Sequence, residues 1–118
     1  MPDLAPTLNG LSALAQDIRL RAFRMLMEAG PAGLPAGKIS STLQIAPNKL
    51  SAHLNVLSQA NLVSVERQGR HMIYSANIEA VASLLSGLVE TCCNGNPGVC
   101  TGLSEFMERR SESCCEPN

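Results

Sequence analysis

"APNKLSAHLNVLSQANLVSVERQGRHMIYSA", residues Ala46 to Ala76, changes its hydrophobic period halfway along. Up to Ala60 the leucines recur at helical spacing. At 100° per residue Leu50, Leu54 and Leu57 fall within about 60° of one another, and Pro47 suits a first-turn position. From Val63 onward the period is two. Val63 and Val65 alternate with Ser64 and Glu66, Gln68-Gly69 reads as a two-residue hairpin turn, and Met72 and Tyr74 return on the face of the valines.

Upstream, "AGKISSTLQI" predicts a short helix carrying Ile39 and Leu43, only a few residues before the leucine helix. That gap matches a helix-turn-helix connection. "QDIRLRAFRMLMEAG" predicts another helix, with Asp17 as N-cap and Gly30 as stop. Its Leu20, Phe23 and Met27 are expected to face inward and Arg19, Arg21 and Arg24 outward, before "PAGLPAG" breaks the chain. Leu4, Leu8, Leu11, Leu14 and Ile18 mark an amphipathic first helix over at least Leu8 to Leu14. After the hairpin, "NIEAVASLLSGLVETCC" predicts a helix capped by Asn77, with Ile78, Val81, Ala82, Leu85, Leu88 and Val89 as its stripe. The order is helix, helix, helix-turn-helix, hairpin, helix: a mainly α winged helix-turn-helix with a β-hairpin wing. One small core cannot bury both terminal apolar helices, which predicts a C2 homodimer built through them.

The 118 residues suit one domain with a tail: residues 1–91 for DNA binding and dimerisation, 92–118 as a cysteine-rich sensing segment. Phe23, Phe106 and Tyr74 are the only aromatics, so the core must be aliphatic. The net charge of -1 gives no general affinity for polyanions. Its distribution does more: between Lys38 and His71 the bases Lys38, Lys49, Arg67 and Arg70 face the single acid Glu66, whereas acids dominate from Asn77 onward. A basic middle is suited to meet a polyanion. No signal-like or membrane-length apolar run is visible, so a cytoplasmic protein without membrane contact is expected, its five cysteines reduced.

On the leucine helix Asn48, Ala52, Asn55 and Gln59 point away from the apolar stripe, with Lys49 and Ser51 on its shoulders. This face is small and polar enough to enter a major groove. Asn and Gln can pair bidentately with adenine, Ser can reach a base or phosphate, and Lys can neutralise phosphate. His53 lies about 60° from the stripe, a flanking position suited to packing or capping. Arg67 and Arg70, flanking Gln68-Gly69, are expected to face each other across the turn. Like charges so placed repel unless an anion lies nearby, and a phosphate of double-stranded DNA beside the wing is the natural one.

"LAQDIRLRAFRML…NKLSAHLNVLSQANLVSVERQGRHMIYSA" resembles the core of the ArsR/SmtB family of bacterial metal-responsive repressors, over roughly Leu11 to Leu88. The resemblance implies a homodimeric winged helix whose first and last helices form the interface, with Ser51 and His53 contacting operator DNA. Two metal sites found in that family are absent from this sequence. The founding arsenic sensors carry Cys-x-Cys before the recognition helix, where this chain has "GLPAGKISS". The zinc sensors place Asp, His and Glu on the last helix, where "AVASLLSGLVE" offers Glu90 alone. "TCCNGNPGVC" resembles instead a subgroup of arsenic sensors with a vicinal cysteine pair and a third cysteine just past the last helix.

Three sulfurs at Cys92, Cys93 and Cys100, without a nearby histidine, suit a thiophilic ion in trigonal pyramidal coordination. Trivalent arsenic needs three thiolates and no fourth ligand, whereas zinc normally takes four from Cys and His. Antimonite shares this chemistry, methylarsenite would take a dithiol such as Cys114-Cys115, and cadmium or lead would fit if Cys114 or Cys115 joined as accessory ligands. Adjacent cysteines sit about 100° apart on a regular helix, so the helix must end or unwind there for both to bind one ion. Asn94-Gly95 offers a stop, and Asn96-Pro97-Gly98 a bend that returns Cys100. A thiol redox or persulfide sensor on the same fold is the alternative, although no cysteine precedes Cys92 to act as partner. No cysteine lies near a Lys, a His or a helix start that would lower its pKa, and no catalytic triad is evident. An enzyme or a resident cofactor is therefore not expected.

Overall fold

In the computed structural model, residues 4–95 are described, with side chains to 89, together with the single positions 102, 105 and 108. The elements run α1 (Ala5–Leu14), α2 (Asp17–Ala29), a 3-10 turn (Gly30–Ala32), β1 (Leu34–Pro35), α3 (Ala36–Leu43), α4 (Pro47–Gln59), β2 (Val63–Gln68), β3 (His71–Ala76) and α5 (Ile78–Gly95). The chain divides after Leu84 into two compact units. The first contains the helix-turn-helix and a three-stranded antiparallel sheet of order β1-β3-β2. This is the winged helix-turn-helix expected from the period change at Val63.

The core is aliphatic apart from Phe23. Ala22, Phe23 and Leu26 of α2, Ile39 of α3, Leu50, Leu54 and Leu57 of α4, and Leu62 and Val63 at the start of the wing are all buried. Burying each such leucine contributes about 1.5–3 kcal/mol, so the α4 stripe alone outweighs any single polar contact in the fold.

The turn between α3 and α4 is held locally. Gln44 takes the left-handed conformation (φ 57°), the Ile45 N–H donates to the Ser40 carbonyl at 3.1 Å, and the buried Ser40 Oγ donates to the Ile45 carbonyl at 2.7 Å. After α4, Asn61 is left-handed as well (φ 65°). Its N–H donates to Ser58 O, and that of Leu62 to Leu57 O. This is a Schellman cap with Asn at the left-handed position, and Leu57 and Leu62 at its two ends are both buried.

Asn77 stands between β3 and α5. Its Oδ1 accepts from the Ala80 N–H at 3.3 Å, capping α5 as the sequence predicts. Its Nδ2 donates to Asn61 O at 3.0 Å and its backbone N–H to Leu62 O at 2.9 Å, so the strand leaving the wing is tied to the segment entering it.

The structure revises several local readings. The N-cap of α2 is Gln16, whose Oε1 accepts from the Arg19 N–H at 2.9 Å. Asp17 is one residue inside the helix, where its carboxylate pairs with Arg21 at 2.8 Å. Leu20 and Met27 are exposed, and Ala22 and Leu26 take the inward face with Phe23, because α2 carries two overlapping apolar stripes and the one bearing the small Ala22 packs on α4. "PAGLPAG" is more than a break: Leu34 pairs with Tyr74 and Pro35 with Ile73, a strand so short that an edge proline costs it nothing. Gly33 (φ +70°) leads into it, and a Cβ there would collide with the Tyr74 carbonyl oxygen.

The hairpin turn lies one residue later than expected. Gln68 pairs with His71 and Arg67 with Met72, leaving Gly69-Arg70 as the central residues. Gly69 has φ +62° and Arg70 does not have positive φ, the pattern of a turn with glycine first. Arg67 and Arg70 therefore do not oppose each other, and the like-charge argument for an anion between them falls away. Arg67 Nε instead donates to Gly69 O at 3.3 Å.

Leu4 (52% exposed), just before α1, and Leu8 (62%) and Leu11 of α1 face solvent, as does Ile78 (60%) at the start of α5. Of the α5 stripe Leu85 and Leu88 are exposed too, while Leu84, outside the expected stripe, is the buried residue.

Candidate nucleic-acid interface

Helix α4 separates its faces as its sequence predicts. Leu50, Leu54 and Leu57 are fully buried, and Asn48, Lys49, Ser51, Ala52, Asn55 and Gln59 are all exposed. The side chains suited to base edges and phosphate thus lie on a ridge anchored from behind by three leucines. The Ser40 and Gln44 turn fixes where that ridge begins, and the Asn61 cap where it ends.

His53 is half-buried at the margin of this ridge. Partial desolvation, then the positive charges of Arg19 and Lys49, push its pKa below the ordinary histidine value. At neutral pH the free protein therefore presents a neutral imidazole, able to donate through one nitrogen and accept through the other. Arg67, Gln68 and Arg70 are exposed at the wing tip, joined by His71 opposite Gln68, which sequence reasoning passed over. The residues chosen from sequence thus occupy two exposed surfaces, one face of α4 and the tip of the hairpin.

Arg19 is a second residue that sequence reasoning left as plain solvent-facing charge. It is half-buried, and its Nε donates to the Ala13 carbonyl at 2.7 Å, locking the start of α2 to the end of α1. Only the tertiary packing of α2 on α4 makes its charge felt at His53.

The backbone of α5 is helical through Cys92 and Cys93 to Gly95. Cys100, Cys114 and Cys115 lie outside the described residues, as does any geometry of a three-thiol site. Among the described residues no helix is long and apolar enough to cross a membrane.

A helix-turn-helix domain family matches residues 14–66. The arsenical resistance operon repressor of Bacillus subtilis is 35% identical over 81 residues, covering 69% of this chain and 73% of that protein. An uncharacterized HTH-type transcriptional regulator of the same organism, YdfF, is 38% identical over 55 residues, 47% of this chain; the match spans only 24% of that longer protein. Among solved structures, an ArsR-like transcriptional regulator from Rhodococcus sp. RHA1 superposes with a TM-score of 0.66 at 20% identity, covering 86% of this chain and 92% of that one. The homodimeric winged helix-turn-helix DNA-binding domain Mb0332 from Mycobacterium bovis, described as a possible ArsR-family regulator, gives a TM-score of 0.61 at 20% identity over 77% of this chain and 82% of that one. With the α4 ridge, the wing and the likeness to the Bacillus repressor together, the chain belongs to the ArsR family of winged helix-turn-helix, DNA-binding transcriptional regulators.

Proposed function

We propose that this regulator is a repressor: its ligand-free homodimer holds an operator, and trivalent arsenic bound by Cys92, Cys93 and Cys100 releases it. The observation that carries the reading is the donor set. Three thiols lie within nine residues at the end of α5, in a relative of a repressor named for arsenical resistance. Three soft thiolates without histidine fit a pyramidal As(III) centre and fall short of a four-coordinate zinc site.

The dimer is supported by the exposed leucines of α1 and by Ile78, which need an apolar partner, and by the homodimeric state of the Mycobacterium relative. A twofold dimer presents two α4 ridges to half-sites about 34 Å apart, one turn of DNA. Asn48, Ser51, Ala52, His53 and Asn55 read bases and adjacent phosphates, and Lys49, Arg67, Gln68 and Arg70 hold the backbone.

Release follows from the position of the thiols. Cys92 and Cys93 sit about 100° apart on a regular turn, so gathering both with Cys100 requires the last turn of α5 to open. Asn77, which caps α5, also hydrogen-bonds Asn61 just past α4, so the start of α5 is tied to the end of the recognition helix. A coupling of about 1–3 kcal/mol weakens DNA binding about 5–150-fold.

Gel shifts of the operator complex with arsenite test the reading. The wild type is expected to release DNA, and Cys92→Ser, Cys93→Ser and Cys100→Ser to stay bound. Release by all three variants would overturn the site. Release by oxidant or polysulfide without arsenite would favour redox sensing, and release by cadmium or lead alone a metal sensor using the tail cysteines.

A further inference from the structure

A cleft of about 260 Å³ opens within the first unit, where the start of α1, the end of α4 and the start of α5 meet. Leu62 and Leu84, both buried, give it an apolar side. Asn61 and Asn77 form one wall, joined by the bond from Asn77 Nδ2 to Asn61 O at 3.0 Å. Thr7, Glu79 and Ser83 add polar side chains to the lining. None of these three side chains has a hydrogen-bond or ion-pair partner among the described residues.

Glu79 is the single charged residue in the lining, and among the described residues no Lys, Arg or His joins it. An anion is therefore repelled from this cleft and a cation attracted. A free carboxylate and two hydroxyls can all accept from an ammonium group, and the leucines suit a short apolar body. Size sets the rest. A cavity of about 150 Å³ holds benzene, so about 260 Å³ admits one ring with a short chain and little more.

The polar side of the cleft lies away from the surface proposed for the dimer. Glu79 and Ser83 are about 100° and 140° round α5 from the exposed Ile78. A partner seated over Ile78 leaves that flank open.

We propose that this cleft is an effector site for a small organic ammonium ion. The ammonium group sits on Glu79 and the apolar body lies against Leu62 and Leu84. Asn61 caps the recognition helix and also walls the cleft. An occupant that presses between Asn61 and Asn77 therefore shifts that cap and weakens DNA binding. Capture of the ligand stands by itself; its effect on DNA rests on α4 facing DNA, and neither depends on the thiol site.

The test titrates the reduced, isotope-labelled full chain with 2-phenylethylammonium chloride, followed by NMR chemical shifts. The comparison is 3-phenylpropanoate, an anion of similar shape. Saturable binding of the amine alone is expected, with the side-chain amides of Asn61 and Asn77 among the signals that move. Glu79→Gln should weaken it about three- to fivefold, the upper range for an exposed ion pair. Ser83→Leu, at an exposed position, fills the mouth and should abolish binding at an unchanged melting temperature. DNA affinity is read by fluorescence anisotropy of a labelled duplex that the wild type enriches from a random-sequence pool. Sodium chloride at matched ionic strength is the control, because DNA binding is salt-dependent. Saturating amine should weaken wild-type binding about fivefold or more and leave Ser83→Leu unchanged, and DNA should weaken amine binding by the same factor. No saturable binding, equal binding of the carboxylate, or wild-type affinity in both variants overturns the site. Binding without a change in DNA affinity overturns its role as an effector. Asn55→Ala separates the proposal from its premise: it should weaken DNA binding and leave amine capture intact, and no weakening would refute the placement of α4 on DNA.

Discussion

Replacing Asn77 by alanine removes two hydrogen bonds with different jobs. One is the cap on α5, Oδ1 accepting from the Ala80 N–H. An Asn-to-Ala change at such a position costs about 1 kcal/mol. The other is Nδ2 to Asn61 O, the tie between the end of the wing and the end of α4. A neutral hydrogen bond contributes about 0.5–1.5 kcal/mol, toward the low end here because the bond is exposed to water. The sum is about 1.5–2 kcal/mol. For a domain of this size each kcal/mol shifts the melting temperature by about 4–8 °C, so Asn77→Ala should melt on the order of 10 °C lower. Asn77→Asp divides the effect. It keeps the capping oxygen and adds a favourable negative charge at a helix N-terminus, but loses the donor and sets a carboxylate against the Asn61 carbonyl. It should recover about half of the loss. Melting must be compared at equal protein concentration, since any self-association would contribute to apparent stability. An alanine variant within about 2 °C of wild type, or an aspartate variant as unstable as alanine, would refute the assignment of Asn77 as both cap and tie.

Gly33→Ala should cost about 2–6 kcal/mol, from a positive-φ, extended backbone that glycine alone readily adopts and from the clash with the Tyr74 carbonyl. Gly30→Ala, with similar backbone but open space, should cost only the backbone part, about 1–3 kcal/mol, and equilibrium denaturation of the pair checks the difference. Leu54→Ala, at a site with no exposure, should lose about 3–4 kcal/mol by urea unfolding. Because folding lowers the His53 pKa, the unfolded chain is the better proton acceptor. The stability this neutral histidine confers is complete above about pH 6.5 and declines as pH falls through that value toward the lower folded pKa. Thermal melts of the DNA-free protein should therefore fall with acidification, less steeply in His53→Gln.

The parts of the fold legible in sequence are those where one chemical pattern admits one arrangement. Leu50, Leu54 and Leu57 have no rival stripe on α4, so the phase of that helix, and with it the exposure of Asn48, Ser51, Ala52 and Asn55, could be read directly. On α2 the apolar residues Ile18, Leu20, Ala22, Phe23, Met25, Leu26 and Met27 permit two stripes. Tertiary packing chose the one with Ala22. The wing slipped by one residue because glycine serves either central position of a two-residue turn; only the pairing of Gln68 with His71 distinguishes them. The strand Leu34–Pro35 carries no local signal, since two residues including a proline become a strand only through β3. Arg19 looked like one of three surface arginines because the Ala13 carbonyl that anchors it is reached only in the folded chain. The leucines exposed on α1 were legible as excess: the sequence holds more apolar helix surface than one small core can cover.

The central claim is that one trivalent arsenic atom is held by the thiolates of Cys92, Cys93 and Cys100. X-ray absorption at the arsenic edge, on the full chain loaded with one equivalent of arsenite per subunit, measures that shell directly. The account predicts three sulfur neighbours and no oxygen, falling to two sulfurs in Cys100→Ser. A wild-type shell of two sulfurs or fewer, or one unchanged by the Cys100 substitution, would contradict it.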